Sequence, residues 1–255
     1  MEGVSFTWDL FLLLSGAGFL AGFVDSIAGG GGLIALPVLL FIGLPPQAAL
    51  GTNKLQGSFG TFSASYHYIK KGRASLRGAI PGIVFTLAGS LAGAFLVQSL
   101  DSHIIEPLIP VLLLVVFVYT FFSTRIGFNE NPPKMRASLF YLLFGLLLGF
   151  YDGFFGPGTG SFWTAGFMFF LGFGMTRATG HTKIMNFTSN IVSLACFGLG
   201  NNIYYAVGLT MALGQVVGAR IGSGMAIKRG ALFIRPVFLS IVFLTIVRLI
   251  YDTFV

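Results

Sequence analysis

Charged side chains are scarce in this chain of 255 residues. Only 9% of the residues are charged, 55% are hydrophobic, and the mean hydropathy is +0.87. Soluble domains carry about 25% charged residues, so this composition excludes an ordinary soluble enzyme, a nucleic-acid-binding protein and a disordered protein. The single cysteine, Cys196, excludes a disulfide within the chain. The composition predicts an integral membrane protein whose surroundings are the lipid bilayer.

About ten apolar segments make up most of the sequence. They are 9–28, 33–44, 50–69, 79–100, 104–124, 137–155, 161–175, 184–200, 203–225 and 232–251. A helix needs about 20 residues to cross the hydrocarbon core, so segments 33–44 and 161–175 are short. The first follows the residues Gly29, Gly30, Gly31 and Gly32; the second follows Gly156, Pro157, Gly158, Thr159 and Gly160. The sequence therefore predicts an all-α membrane protein with short or broken helices after these first and second glycine clusters.

Short motifs recur in the second half of the sequence at an offset of 125–129 residues. Residues 22–25 (GFVD) match 149–152 (GFYD), and residues 51–54 (GTNK) match 180–183 (GHTK). The small drift of the offset indicates an internal duplication. We predict a first transmembrane repeat over 1–124, a cytoplasmic linker over 125–136 and a second transmembrane repeat over 137–255, with about five hydrophobic segments in each repeat.

The loop charges indicate that the two repeats have inverted topology. The loop 70–77 is basic, whereas the equivalent loop around 201–202 is uncharged; one loop further on, 228–235 is basic and its counterpart is not. Since Lys and Arg mark the cytoplasmic side, equivalent loops lie on opposite sides. Both termini are then placed outside the plasma (inner) membrane. Five crossings per repeat, or three helices and a re-entrant hairpin, both satisfy this pattern.

Ionisable residues inside apolar segments are expensive, at roughly 2.5–3.5 kcal/mol each on insertion scales. The candidates are Asp25, Lys54, Asp152, His181, Lys183 and Arg220. Most of them lie beside a glycine cluster or early in the segment after it. Glycines there allow a helix to end and the next helix to present its N-terminal amides, which bind anions. The alternative is that the glycines only allow helices to pack closely.

Lys54 and Lys183 occupy equivalent positions in the two repeats. One interpretation is a symmetric positive cradle for a small anion, with hydrogen bonds from Asn53 and Asn186. The other is that the lysines only neutralise Asp25 and Asp152 as buried ion pairs, and the two roles can alternate during transport. The sequence leaves both interpretations open.

Two further candidates have no symmetric counterpart. His181 stands where the first repeat has Thr52, and it is a candidate to carry a coupled proton or to act as a hydrogen-bonded structural residue. Arg220 lies in a stripe of small residues formed by Gly214, Gly218 and Gly222, and is a candidate anion contact or buried partner. No residue pattern indicates a metal or a cofactor, and association into a homo-oligomer is left open.

The motifs around the two glycine clusters resemble the sulfite exporter TauE/SafE family, most strongly its YfcA-like branch. The resemblance rests on residues 22–32 (GFVDSIAGGGG), 51–56 (GTNKLQ) and 149–161 (GFYDGFFGPGTGS). It implies a membrane transporter for sulfite and related sulfur-containing anions.

Three classes of function compete. The leading hypothesis is a secondary transporter that moves sulfite or an organosulfonate, in the direction of export, by alternating access driven by an ion gradient or the membrane potential. The alternatives are a passive anion channel and, less favoured, an intramembrane enzyme using Asp25, Asp152 or His181. We expect that the protein is not an enzyme.

Overall fold

The computed structural model describes residues 7–122 and 130–229, and within them the chain forms nine helices and no strand. The helices are α1 (Trp8–Ala28), α2 (Gly32–Phe41), α3 (Pro46–Lys70), α4 (Leu76–Ser99), α5 (Ser102–Phe122), α6 (Ala137–Phe154), α7 (Thr159–Phe170), α8 (Met175–Leu199) and α9 (Tyr205–Arg229). The all-α prediction is confirmed. Segment 232–251 and part of the linker lie outside the described residues.

The two short helices follow the glycine clusters as predicted. Helix α2 has 10 residues and α7 has 12, about half the length of a membrane-crossing helix. Four of the described helices (α1, α4, α5 and α6) are long and apolar enough to cross a membrane. The protein is therefore an integral membrane protein whose full-length helices are interrupted by two half-length ones.

Helices α3 and α8 begin at least four residues earlier than the hydropathy pattern predicted. Helix α3 begins at Pro46 instead of residue 50, because proline suits the first turn of a helix, where its missing N–H is not needed. Helix α8 begins at Met175 instead of residue 184, because its first turns are polar and partly buried, which hydropathy alone does not recognise as helix. Lys54 and Lys183 consequently lie in the third turn of α3 and α8, not at the start of a helix.

Glycines bring the fourth helix of each half against the first helix of the other half. In the α1–α9 contact, a methyl group added at Gly22 would collide with the backbone of Gln215; in the α4–α6 contact, one added at Gly149 would collide with Thr86. Such close approach is typical of small residues between membrane helices. The same kind of contact, a fourth helix of one half on the first helix of the other, thus occurs twice. This recurrence agrees with the proposed duplication, whereas the opposite orientation of the two halves stays a prediction.

Two apolar cores flank these contacts. The larger is built mainly from α1, α2 and α5, and the smaller from α6, α7 and their neighbours. In the smaller core Trp163 stacks on Phe167 and is fully buried. Trp163, which follows the second glycine cluster, is therefore a packing residue.

The loop charges predict which loops face the cytoplasm, and cysteine labelling tests this. In a Cys196→Ala background, Lys71→Cys is expected to react with an impermeant thiol reagent only from the cytoplasmic side. Tyr205→Cys, at the start of α9 and 57% exposed, is expected to react only from outside. Labelling of both positions from the same side would contradict the inverted arrangement.

Candidate functional site

The two glycine clusters touch each other at the centre of the described structure. Gly29 ends α1 with φ of 77°, and Gly158 precedes α7 with φ of 80°, a left-handed conformation that favours glycine. A Cβ atom added at Gly160 would lie 2.6 Å from the Cα of Gly29, and one added at Gly32 would lie 3.1 Å from the Cα of Pro157. The C-terminus of α1 and the N-terminus of α2 therefore pack directly on the second glycine cluster, which precedes and begins α7.

Two buried ion pairs cross between the halves beside these clusters. Nζ of Lys54 lies 2.7 Å from Oδ1 of Asp152, and Nζ of Lys183 lies 2.9 Å from Oδ2 of Asp25. The Lys54 ammonium also donates to the backbone carbonyl of Asp152. Lys54 is 1% exposed and Lys183 is 0% exposed, and charges buried this deeply need such partners. Each lysine thus neutralises the aspartate of the other repeat.

The N-terminus of α2 lies close to a negatively charged group of the protein itself, the carboxylate of Asp25. The backbone N–H of Gly31 donates to Oδ1 of Asp25 over 3.4 Å, while Oδ2 of the same carboxylate accepts from Lys183. The sequence predicted that amides of the glycine clusters bind an anion. In the first cluster the structure places an aspartate carboxylate at one of these amides.

A cavity of about 40 Å³ lies between the clusters and the ion pairs. This is room for roughly three water-sized groups. Its lining comprises Asp25, Gly29, Gly31, Gly32, Asn53, Lys54, Gln56, Gly57, Thr61, Asp152, Gly156, Gly158, Asn186, Asn190 and Gln215. Lys54 is the one lysine or arginine in that lining, so the two symmetry-related lysines are not equivalent in this structure.

Several sequence candidates lie outside the lining of this central cavity. Gly30, Gly160 and Thr159 are buried beside it, and the Thr159 hydroxyl donates to the carbonyl of Gly156 over 2.7 Å. Lys183 is not part of the lining and contacts the cavity only through its ion pair with Asp25. Arg220 is exposed on α9 and does not reach the cavity.

His181 lines a second, larger cavity of about 530 Å³. This vestibule is lined by the loop after α3 and the start of α8, and it includes Arg73 and Arg177. At its edge Arg177 forms an exposed ion pair with Glu130 at 3.2 Å. The ring of His181 is buried, and its Nδ1 lies 2.9 Å from the carbonyl oxygen of Arg177. His181 therefore lies with the vestibule and not with Lys54.

Five polar or glycine residues of the lining were not among the sequence candidates. They are Gln56, Gly57, Thr61, Asn190 and Gln215. Helical spacing offered a signal for two of them, because Gln56 follows Asn53 by three residues and Asn190 follows Asn186 by four, which places each pair on one helix face. No such spacing points to Gln215, which arrives from α9.

Comparison with known proteins places the chain in one family. The sulfite exporter TauE/SafE family model matches residues 14–249. A probable membrane transporter protein of Haemophilus influenzae is 44% identical, covering 96% of both chains. The probable membrane transporter protein YfcA of Escherichia coli K12 is 39% identical, covering 92% of this chain and 87% of its own. No solved structure gives a significant match. The chain belongs to the sulfite exporter TauE/SafE family.

Proposed function

We propose that this membrane protein is a secondary transporter of small sulfur-containing anions, sulfite or an organosulfonate, working in the direction of export across the inner membrane. The proposal is supported by the family match and by one feature of the site. A single buried ammonium, that of Lys54, faces a small polar cavity between two broken helices. Discontinuous helices of this kind surround substrate sites in inverted-repeat transporters.

The anion binds by competing with Asp152 for the ammonium of Lys54. An oxyanion accepts the same charge-assisted hydrogen bonds that the carboxylate accepts now. Asn53, Asn186 and Asn190 line the same cavity, and their side-chain amides have N–H groups from which an oxyanion can accept hydrogen bonds. Because the lysine is held by a carboxylate of the other repeat, anion binding also loosens a contact between the repeats. Alternating access follows if that loosening allows the repeats to move.

The small cavity favours sulfite over a bulky organosulfonate. Room for roughly three water-sized groups suits an anion with few heavy atoms. The vestibule around His181, with a volume of about 530 Å³ and with Arg73 and Arg177 in its lining, gives the anion a basic surface at which to arrive. We assign this vestibule to the cytoplasmic side, because the basic loop 70–77 contributes to it.

Anion binding by the purified protein tests the site directly. At a sulfite concentration of 100 times the dissociation constant, the folded state gains about 2.7 kcal/mol, so the melting temperature is expected to rise. Chloride at equal ionic strength is the control. An unchanged melting temperature at all sulfite concentrations would contradict an anion site in this structure.

Flux into proteoliposomes separates the transporter from the alternatives. A transporter gives saturable sulfite uptake that responds to an imposed ion gradient, whereas a passive channel gives flux that follows only the anion's own electrochemical gradient. The relatives are named as transporters, in agreement with the expectation that the chain is not an enzyme. Recovery of chemically altered sulfite from the vesicles would contradict that expectation.

A further inference from the structure

Four buried oxygen atoms around the central cavity accept no hydrogen bond within the described part of the chain. They are Gln56 Oε1, Asp152 Oδ2, Asn186 Oδ1 and Gln215 Oε1. Each belongs to a residue that lines the cavity and is at most 6% exposed. Buried polar atoms almost always have a partner, so four such atoms around one small space indicate a ligand that interacts with acceptors.

These atoms are hydrogen-bond acceptors, so an anion without a proton does not satisfy them. A carboxylate oxygen has no hydrogen to donate, and Asp152 already uses Oδ1 to accept from Lys54. The Nε2 of Gln56 donates to Oδ1 of Asn53 over 2.8 Å, which fixes the orientation of the Gln56 amide. Its Oε1 is therefore the atom that accepts no hydrogen bond among the described residues. A single proton satisfies one or two oxygens. A water molecule likewise donates to at most two oxygens, whereas a metal cation attracts every oxygen that lies around it.

The charges around the cavity give a second reason for a cation, and this reason rests on the proposed binding of an anion. Lys54 balances Asp152 and Lys183 balances Asp25, so the four buried charges sum to zero. An anion that displaces Asp152 from Lys54 leaves one uncompensated negative charge in a low-dielectric surrounding, which is strongly unfavourable. A cation bound next to Oδ2 of Asp152 compensates the negative charge of that carboxylate and restores neutrality.

We propose that Asp152, Gln56, Asn186 and Gln215 form a binding site for a monovalent metal cation of the size of sodium, which occupies the cavity together with the transported anion. A cation of the size of sodium leaves more of this small cavity to the anion than a larger cation does. Oxygen ligands beside interrupted helices are a common way to hold a coupling ion in transporters. The coupling of cation and anion rests on the proposed function, whereas the cation site itself does not.

The cation site is tested first without any transported anion. The purified full-length protein is melted in sodium chloride and in N-methyl-D-glucamine chloride at equal ionic strength. Sodium is expected to raise the melting temperature in a saturable way. Gln215→Met, which keeps the side-chain length but removes the oxygen, is expected to weaken the apparent sodium affinity at least about tenfold. Ser193→Ala removes a buried oxygen that also has no hydrogen-bond partner within the described residues but lies outside the cavity; it is the matched control and is expected to behave as the parent protein.

The outcomes distinguish this proposal from the proposed function. Equal melting temperatures in the two salts, or an unchanged sodium affinity in Gln215→Met, would overturn the cation site even if sulfite binds. Sodium-dependent stabilisation without any effect of sulfite would support the cation site and contradict the anion site. In proteoliposomes, an imposed sodium gradient is expected to drive sulfite in the same direction as sodium; sulfite flux that follows a pH gradient and ignores sodium would overturn the coupling in favour of a proton.

Discussion

The double variant Lys54→Met/Asp152→Asn is expected to fold and to lose sulfite binding. Both members of one buried ion pair are removed, so no unpaired charge remains, and the ammonium that faces the cavity is gone. A charge-assisted contact contributes roughly 1.5–3 kcal/mol, which corresponds to about a ten- to hundredfold weaker affinity. The melting temperature and its dependence on sulfite measure the two effects in one experiment.

The crossed pairing supplies a matched control for folding. Lys54→Met alone leaves the Asp152 carboxylate buried without its partner and is expected to cost roughly 3–5 kcal/mol of stability. Adding Asp152→Asn restores stability, whereas adding Asp25→Asn does not, because it leaves both Asp152 and Lys183 unpaired. Equal rescue by the two asparagine changes would show that the pairs do not cross as described.

The second ion pair separates the binding role from the structural one. Lys183 is fully buried and does not line the cavity, and Asp25→Asn keeps the size of the side chain that does, so Lys183→Met/Asp25→Asn is expected to fold and to bind sulfite with nearly the parent affinity. Native affinity in Lys54→Met/Asp152→Asn would instead assign both lysines a purely structural role. Loss of sulfite binding in both double variants would mean that the two pairs act as one symmetric site.

Sequence patterns indicated the half-length helices and many, but not all, of the residues that line the central cavity. Glycine clusters followed by apolar stretches of half the spanning length predict broken helices, and the structure contains them as α2 and α7. The sequence also raised the pairing of lysines with aspartates. It gave no means to decide which lysine meets which aspartate, because Lys54 and Asp152 are 98 residues apart and are brought together only by the packing of one repeat on the other.

The rest of the cavity is likewise a product of tertiary packing. Gln215 lines the cavity because glycines such as Gly22 let α9 approach α1 closely. No sequence pattern near Gln215 predicts that it reaches the cavity. The sequence analysis also grouped His181 and Arg220 with the lysines as candidates. Hydropathy identifies ionisable residues in apolar segments but does not show where in the fold their side chains lie. The structure places His181 in the vestibule and Arg220 on an exposed face, so their roles in binding stay predictions.

Adding a single methyl group where the glycine clusters meet is expected to disrupt the site. A Cβ atom at Gly160 would lie 2.6 Å from the Cα of Gly29 and 2.9 Å from Nδ2 of Asn186. Since backbone cannot yield as a flexible side chain does, Gly160→Ala is expected to destabilise the protein by about 1–3 kcal/mol. The displaced cluster shifts Asn186 and the cavity, so sulfite no longer raises the melting temperature.

The variant Gly29→Ala is expected to be more damaging, because it adds a backbone penalty to the same collision. Gly29 has φ of 77°, a conformation that costs a residue with a Cβ atom roughly 1–2 kcal/mol more. The control is Gly16→Ala in the same helix α1, where an added Cβ meets no atom within 4 Å; it is expected to be neutral or slightly stabilising, since alanine favours helix. Melting temperatures should therefore fall in the order Gly16→Ala, Gly160→Ala, Gly29→Ala. If Gly160→Ala and Gly29→Ala both kept the parent's stability and its response to sulfite, the close contact of the clusters would not define the anion site.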